Sequence, residues 1–156
     1  MNWDYELIKS ASQGNLAKVK ECLANGADVN AECGGVLRGA SKYGHFEIVK
    51  YLVENGADVK NSGALRGASE YGHFEMVKYL VKHGADVNAK YFYNETALIY
   101  ALKNGHFEVV KYLVENSVDV NDDLYSASRY GHLETVKYLV EHGADVNNAG
   151  LCAMLL

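Results

Sequence analysis

The chain is predicted to be all-α, a solenoid of stacked helix-turn-helix units, and two observations predict it. The stretch YGHFEIVKYLVENGADV (residues 43–59) returns as YGHFEMVKYLVKHGADV (71–87), NGHFEVVKYLVENSVDV (104–120) and YGHLETVKYLVEHGADV (130–146). The glycine ahead of this phrase recurs as Gly14, Gly44, Gly72, Gly105 and Gly131, at intervals of 30, 28, 33 and 26 residues. Self-similarity at such periods marks units that bury their apolar faces only against their neighbours. From each glycine to the following Asp-Val pair (Asp28, Asp58, Asp86, Asp119, Asp145) the distance stays at 14 residues, so only the stretch after Asp-Val changes length.

Within the constant part, Phe46, Val49, Leu52 and Val53 recur at helical spacing, as do Phe74, Val77, Leu80 and Val81, with charged residues between them. This is an amphipathic helix, the second of each unit. Before each glycine runs a shorter pattern, LRGASKYG (37–44), LRGASEYG (65–72), LIYALKNG (98–105) and LYSASRYG (124–131), with room for two turns and small residues that permit close packing. The glycine ends this first helix in a left-handed conformation, and Gly26, Gly56, Gly84 and Gly143 do the same for the second. Repeat four has Asn116-Ser117-Val118 there, so its helix closes without glycine and is expected to fray.

Through GHFEIVKYLVENGADVN and its relatives the chain resembles the ankyrin repeat family across about residues 4–148. The family's Thr-Pro-Leu-His opening is nowhere intact, Thr96-Ala97-Leu98 being nearest. Against the family's usual repeat, only the Gly72 to Gly105 interval has full length; the others are shorter in the hairpin loop. Such loops, with LRxAS helices and VKYLV, look like the ankyrin repeats of large DNA viruses that infect amoebae. The resemblance implies one domain over 1–156, with repeats at about 4–30, 31–60, 61–88, 89–121 and 122–147 and a half repeat at 148–156.

The two ends are treated differently. Lys18 holds the position of Ile48, Met76, Val109 and Thr135, and a unit with nothing before it needs a polar outer face, so residues 4–30 read as an amino-terminal cap with Trp3 folded over its first helix. At the other end Gly150–Leu156 align with Gly63–Ser69 and stop. This apolar tail either docks as a capping helix, forms a subunit contact, or belongs to a chain that continues.

Composition narrows the function classes. Fifteen Lys and Arg against twenty Asp and Glu give a net charge of −5, which disfavours nucleic-acid binding. No apolar stretch is long enough to cross a bilayer and no export signal is visible. Cys22, Cys33 and Cys152 show no paired spacing and fit a reducing compartment, so a cytoplasmic or nuclear location is expected. His45, His73, His106 and His132 occupy equivalent places and lie in a row, whereas a metal needs converging ligands. They read as turn histidines bonded to nearby backbone between the two helices. His83 and His142 suit the carbonyl ends of their helices. Cys22 stands in a column of leucines and reads as core; Cys33, in AECGG, reads as exposed. There is no phosphate-binding loop, nucleophile elbow or zinc spacing, so neither catalysis, a metal nor a cofactor is expected.

On the convex side Glu47, Lys50 and Glu54 are spaced for ion pairing, and Tyr51, Tyr79, Tyr112 and Tyr138 form a half-buried column. The resemblance places partners on the concave face, at residues six, two and one before each glycine: Arg38, Lys42 and Tyr43; Arg66, Glu70 and Tyr71; Ile99, Lys103 and Asn104; Tyr125, Arg129 and Tyr130. Five cations against one anion make this face positive on an acidic molecule, and Tyr and Arg are enriched in binding hot spots. The full-length loop AKYFYNET (89–96) adds Tyr91, Phe92 and Tyr93 at its tip, with Asn94 expected to take a left-handed conformation.

The expected function is therefore noncatalytic binding of a protein partner with an acidic or mixed polar surface. Two alternatives stand beside it: a self-associating structural protein joined through 148–156, and a substrate-recruiting adaptor of a ubiquitin ligase type assembly.

Overall fold

The computed structural model describes residues 1–61, 63–116, 120–130 and 132–147. Among them are ten α-helices and no strand. The helices are α1 (Trp3–Gln13), α2 (Leu16–Ala24), α3 (Ala31–Lys42), α4 (Phe46–Glu54), α5 (Ala64–Glu70), α6 (Phe74–Lys82), α7 (Ala97–Lys103), α8 (Phe107–Glu115), α9 (Asn121–Arg129) and α10 (Leu133–Glu141). They form five consecutive hairpins, with odd-numbered helices packed on odd and even on even. The tail 148–156 and the Ser117 turn lie outside the described residues.

The core follows the apolar spacing. Leu7, Leu37, Leu65, Leu98 and Leu124 of the odd helices are buried, as are Val19, Val49, Val77 and Val110 of the even ones. Fully burying such a side chain is worth about 1.5–3 kcal/mol. Cys22 is wholly buried in this row. Lys18 stays partly exposed, whereas Ile48, Met76, Val109 and Thr135 at its position are buried.

Small residues set how closely the odd helices approach. A Cβ on Gly39 would stand 2.3 Å from Ser12 Oγ, and one on Gly67 would stand 3.3 Å from the backbone of Lys42. The even helices are joined instead by edge-to-face rings: Phe46 on Tyr79 at 5.5 Å, Phe74 on Tyr112 at 6.0 Å and Phe107 on Tyr138 at 5.9 Å. The tyrosine column is thus half buried against the phenylalanine of the preceding unit. Lys50 pairs with Glu47 and Lys78 with Glu75 on the outer surface.

The aspartate of Asp-Val has a local role. Its carboxylate accepts the backbone N–H two residues on, at 2.9 Å for Asp28–Asn30, 2.9 Å for Asp58–Lys60, 3.0 Å for Asp86–Asn88 and 2.8 Å for Asp145–Asn147. That turn closes the exit from each even helix. Asn30 then bridges units, accepting from the Asp58 N–H at 2.7 Å and donating to the Gly56 carbonyl at 3.2 Å.

Two expectations are corrected and two features are made more specific. Trp3 does not fold over α1; it is that helix's first residue, half-buried, with Lys18 Nζ 5.3 Å from its ring. The turn histidines of units two to four do bond backbone, at the end of the preceding unit's odd helix. Nε2–H of His45 donates to the Ser12 carbonyl, that of His73 to Lys42 and that of His106 to Glu70, each at 3.0 Å and each in the preceding unit. The ring reaches back because it lies over the glycine that ends the previous odd helix. In the full-length loop the left-handed residue is Tyr93 (φ 58), not Asn94, within a short 3-10 turn over Phe92–Asn94. The AECGG stretch (31–35) is a turn at the start of α3: Glu32, Cys33 and Gly34, among its first residues, are left-handed in succession (φ 51, 52 and 79).

Candidate functional site

The carboxyl-terminal turns of the odd helices present one residue set per hairpin. Tyr43 is 55 % exposed and Tyr71 46 %; Tyr125, Arg129, Tyr130 and Asn104 are also exposed. Lys42 is half-buried between units two and three, its Nζ 5.2 Å from the Tyr43 ring and 5.6 Å from the Tyr71 ring. A cation over aromatic faces is held without losing its charge. Glu70, next to Tyr71 in sequence, is half-buried, its carbonyl taken by His106.

Charge on this face is less uniform than the residue count suggests. Lys103 is bound to Glu95, and that hydrogen bond holds the Lys103 ammonium above its ordinary pKa. Lys103 is thereby neutralised, because Glu95 stands in the one full-length loop that reaches back to α7. Among the described residues Arg38 and Arg66 form no ion pair, so their guanidinium groups keep free donors.

The three loop aromatics separate. Phe92 is 71 % exposed and Tyr93 95 %, while Tyr91 is half-buried against Gly63, whose Cβ position lies 3.9 Å from Tyr91 Cε1. Burial raises the pKa of the Tyr91 phenol, with Arg66 opposing the shift. Arg66 is enclosed by three rings, its Cζ 5.8 Å from Tyr91, 5.6 Å from Phe92 and 5.4 Å from Tyr100. Tyr100 is the residue that sequence reasoning missed. Its signal was legible, since it stands five residues before Gly105 where units two and three have Gly39 and Gly67.

Arg38, Asn61, Gly63, Arg66, Tyr91 and Phe92 line one cleft of 390 Å³. It joins three consecutive units: Arg38 from α3, Arg66 from α5 and the aromatics from the loop before α7. Elsewhere the chemistry is quiet. Burial pushes the Cys22 thiol up, which disfavours a thiolate nucleophile there. His83 and His142 donate through Nδ1–H to the Tyr79 and Tyr138 carbonyls at 2.7 and 2.8 Å, closing their helix ends. Among the described residues no group of three or more His, Cys, Asp or Glu side chains is gathered for a metal, and no helix is long and apolar enough to cross a membrane.

Comparison with known proteins agrees with this architecture. The family model for ankyrin repeats (three copies) matches residues 7–91 and 68–150. An ankyrin repeat protein of Acanthamoeba polyphaga mimivirus, R886, is 49 % identical over 37 residues. That stretch is 24 % of this chain and spans only 28 % of the viral protein's length, little more than one repeat. Ankyrin repeats serve in general as protein-interaction modules and are generally noncatalytic. With matched segments running from residue 7 to residue 150 over five stacked helical hairpins, the chain belongs to the ankyrin-repeat family.

Proposed function

We propose that the chain binds a partner protein without catalysis, through the concave face and the aromatic tip of its full-length loop, and that the partner presents an acidic or mixed polar surface. One observation carries this reading: Phe92 and Tyr93 are the most exposed aromatic rings of the described residues, and Phe92 lines a cleft with two arginines that form no ion pair among those residues. Exposed rings beside free guanidinium groups are the composition of interface hot spots. Leaving them in water has no packing benefit, since Phe92 and Tyr93 add nothing to the core.

A paired affinity capture from cell lysate tests it, with the wild-type chain beside a Tyr43→Ala, Tyr71→Ala, Phe92→Ala, Tyr130→Ala variant shown by circular dichroism to be folded. A protein captured only by the wild type is expected. Equal capture by both would move the site off this face.

A second reading, self-association, is favoured by Leu133, Val140 and Val146, which are exposed on the last described hairpin. Light scattering at two concentrations, with and without residues 148–156, distinguishes it: only self-association makes the mass depend on the tail and on concentration.

A further inference from the structure

The cleft between α3, α5 and the full-length loop has a more specific chemistry than a general protein-binding face. Arg38 and Arg66 both line it, and neither is paired among the described residues, whereas Lys103 nearby is neutralised by Glu95. Arg66 is held in place by the rings of Tyr91, Phe92 and Tyr100. A guanidinium fixed on aromatic faces presents its planar fork with little further ordering. The floor is Gly63, left-handed at φ 71, and its Cβ position lies 3.4 Å from Arg38 Cδ. A side chain there would crowd the Arg38 stem and fill the cleft.

Two unneutralised forks at one cleft call for an oxyanion of more than one charge. A carboxylate brings one charge, so even where its two oxygens accept from both forks one positive charge stays uncompensated. A phosphate ester brings about −1.5 to −2 and three strong acceptor oxygens, matching both. The 390 Å³ cleft has room for roughly a dozen water-sized groups, far more than a phosphate occupies. The remaining wall is aromatic, formed by Tyr91 and Phe92, which suits a flat ring.

Resting on the partner-binding reading above, we propose that this cleft takes a phosphotyrosine side chain of the partner, its phosphate between Arg38 and Arg66 and its ring against Phe92. Binding of the partner would then be gated by phosphorylation.

The test is a titration of the isotopically labelled full chain with N-acetyl-phosphotyrosine amide, followed by nuclear magnetic resonance. Saturable shifts are expected at the Asn61 and Gly63 amides and at the Nε–H groups of Arg38 and Arg66. N-acetyl-tyrosine amide, N-acetyl-phosphoserine amide, N-acetyl-glutamate amide and inorganic phosphate should each bind at least about tenfold more weakly, since each lacks either the second charge or the ring. Arg38→Gln and Arg66→Gln should each lose at least about tenfold in affinity, and so should Arg66→Lys, which keeps the charge but not the fork. Lys137→Gln, exposed on α10 and outside the cleft, should bind as the wild type does. Each variant's own spectrum reports whether it is folded. The proposal is overturned if phosphotyrosine binds no tighter than the glutamate or phosphate probe, or if the shifts fall away from the cleft. Loss of capture by the four-aromatic variant together with no phosphotyrosine binding would remove this inference alone; cleft shifts without any protein capture would instead remove the broader reading.

Discussion

The ring of His73 lies across Gly44 of the preceding hairpin. A Cβ at Gly44 would stand 2.8 Å from His73 Cε1, while Nε2–H of the same ring donates to the Lys42 carbonyl at 3.0 Å. The glycine is therefore required twice, by its own φ of 78 and by its neighbour's side chain. Gly56, at φ 89, has nothing within 4 Å of its Cβ position. Gly56→Ala is expected to cost about 1–2 kcal/mol, the left-handed penalty alone. Gly44→Ala should cost at least about 1 kcal/mol more, because the ring must move and its hydrogen bond is lost. Urea unfolding of the two variants measures the difference, and equal losses would show that the ring contact carries no energy.

The histidine row is not uniform. His106 donates to Glu70, but Nε2 of His132 is buried with no hydrogen-bond partner among the described residues. His106→Ala is expected to destabilise the chain by about 1 kcal/mol more than His132→Ala. Thermal and chemical denaturation of both variants test the order; the reverse order would mean that His132 has a partner in solution.

Ser69 Oγ is fully buried with no partner among the described residues, and the first unit carries Ala11 at the same position. Removing an unsatisfied buried hydroxyl stabilises, so Ser69→Ala should raise stability by about 1 kcal/mol. A lower melting temperature would point to a buried water bonded to the hydroxyl.

Tyr93 combines near-complete exposure with φ 58. A left-handed tyrosine costs about 1–2 kcal/mol, and asparagine tolerates that conformation better. Tyr93→Asn is expected to stabilise the fold by about 0.5–1 kcal/mol while weakening partner capture. A variant that gains stability and captures as well as the wild type would show that Tyr93 is not a contact residue.

The Asp58 carboxylate accepts from Asn61 Nδ2 at 2.8 Å, from the Asn61 N–H at 3.2 Å and from the Lys60 N–H at 2.9 Å. These bonds, the Asn61 side chain foremost, hold its pKa below the ordinary carboxylate value. A depressed folded pKa gives stability that is present above the unfolded value, about 3.9, and lost as pH falls through the folded one. Asp58→Asn should therefore be less stable than the wild type at pH 7, with the gap closing as pH drops below about 4. Unfolding free energies of both chains from pH 7 down to the acid transition test this, and a gap independent of pH would remove the charge from the account.

What the sequence determined by itself was everything that repeats. Apolar spacing of three and four residues, glycines at matched positions and a constant 14-residue phrase are local properties, and local properties suffice to set helices, turns and the buried rows. The tertiary structure decided what each unit does to its neighbour. That His45, His73 and His106 bond backward across a unit, and that Arg66 rather than the loop tip collects the rings of Tyr91 and Tyr100, are contacts between residues distant in sequence. They depend on how closely Gly39 and Gly67 let the odd helices approach and on how far each unequal loop reaches. Both are distances set by packing, which no residue's own spacing encodes.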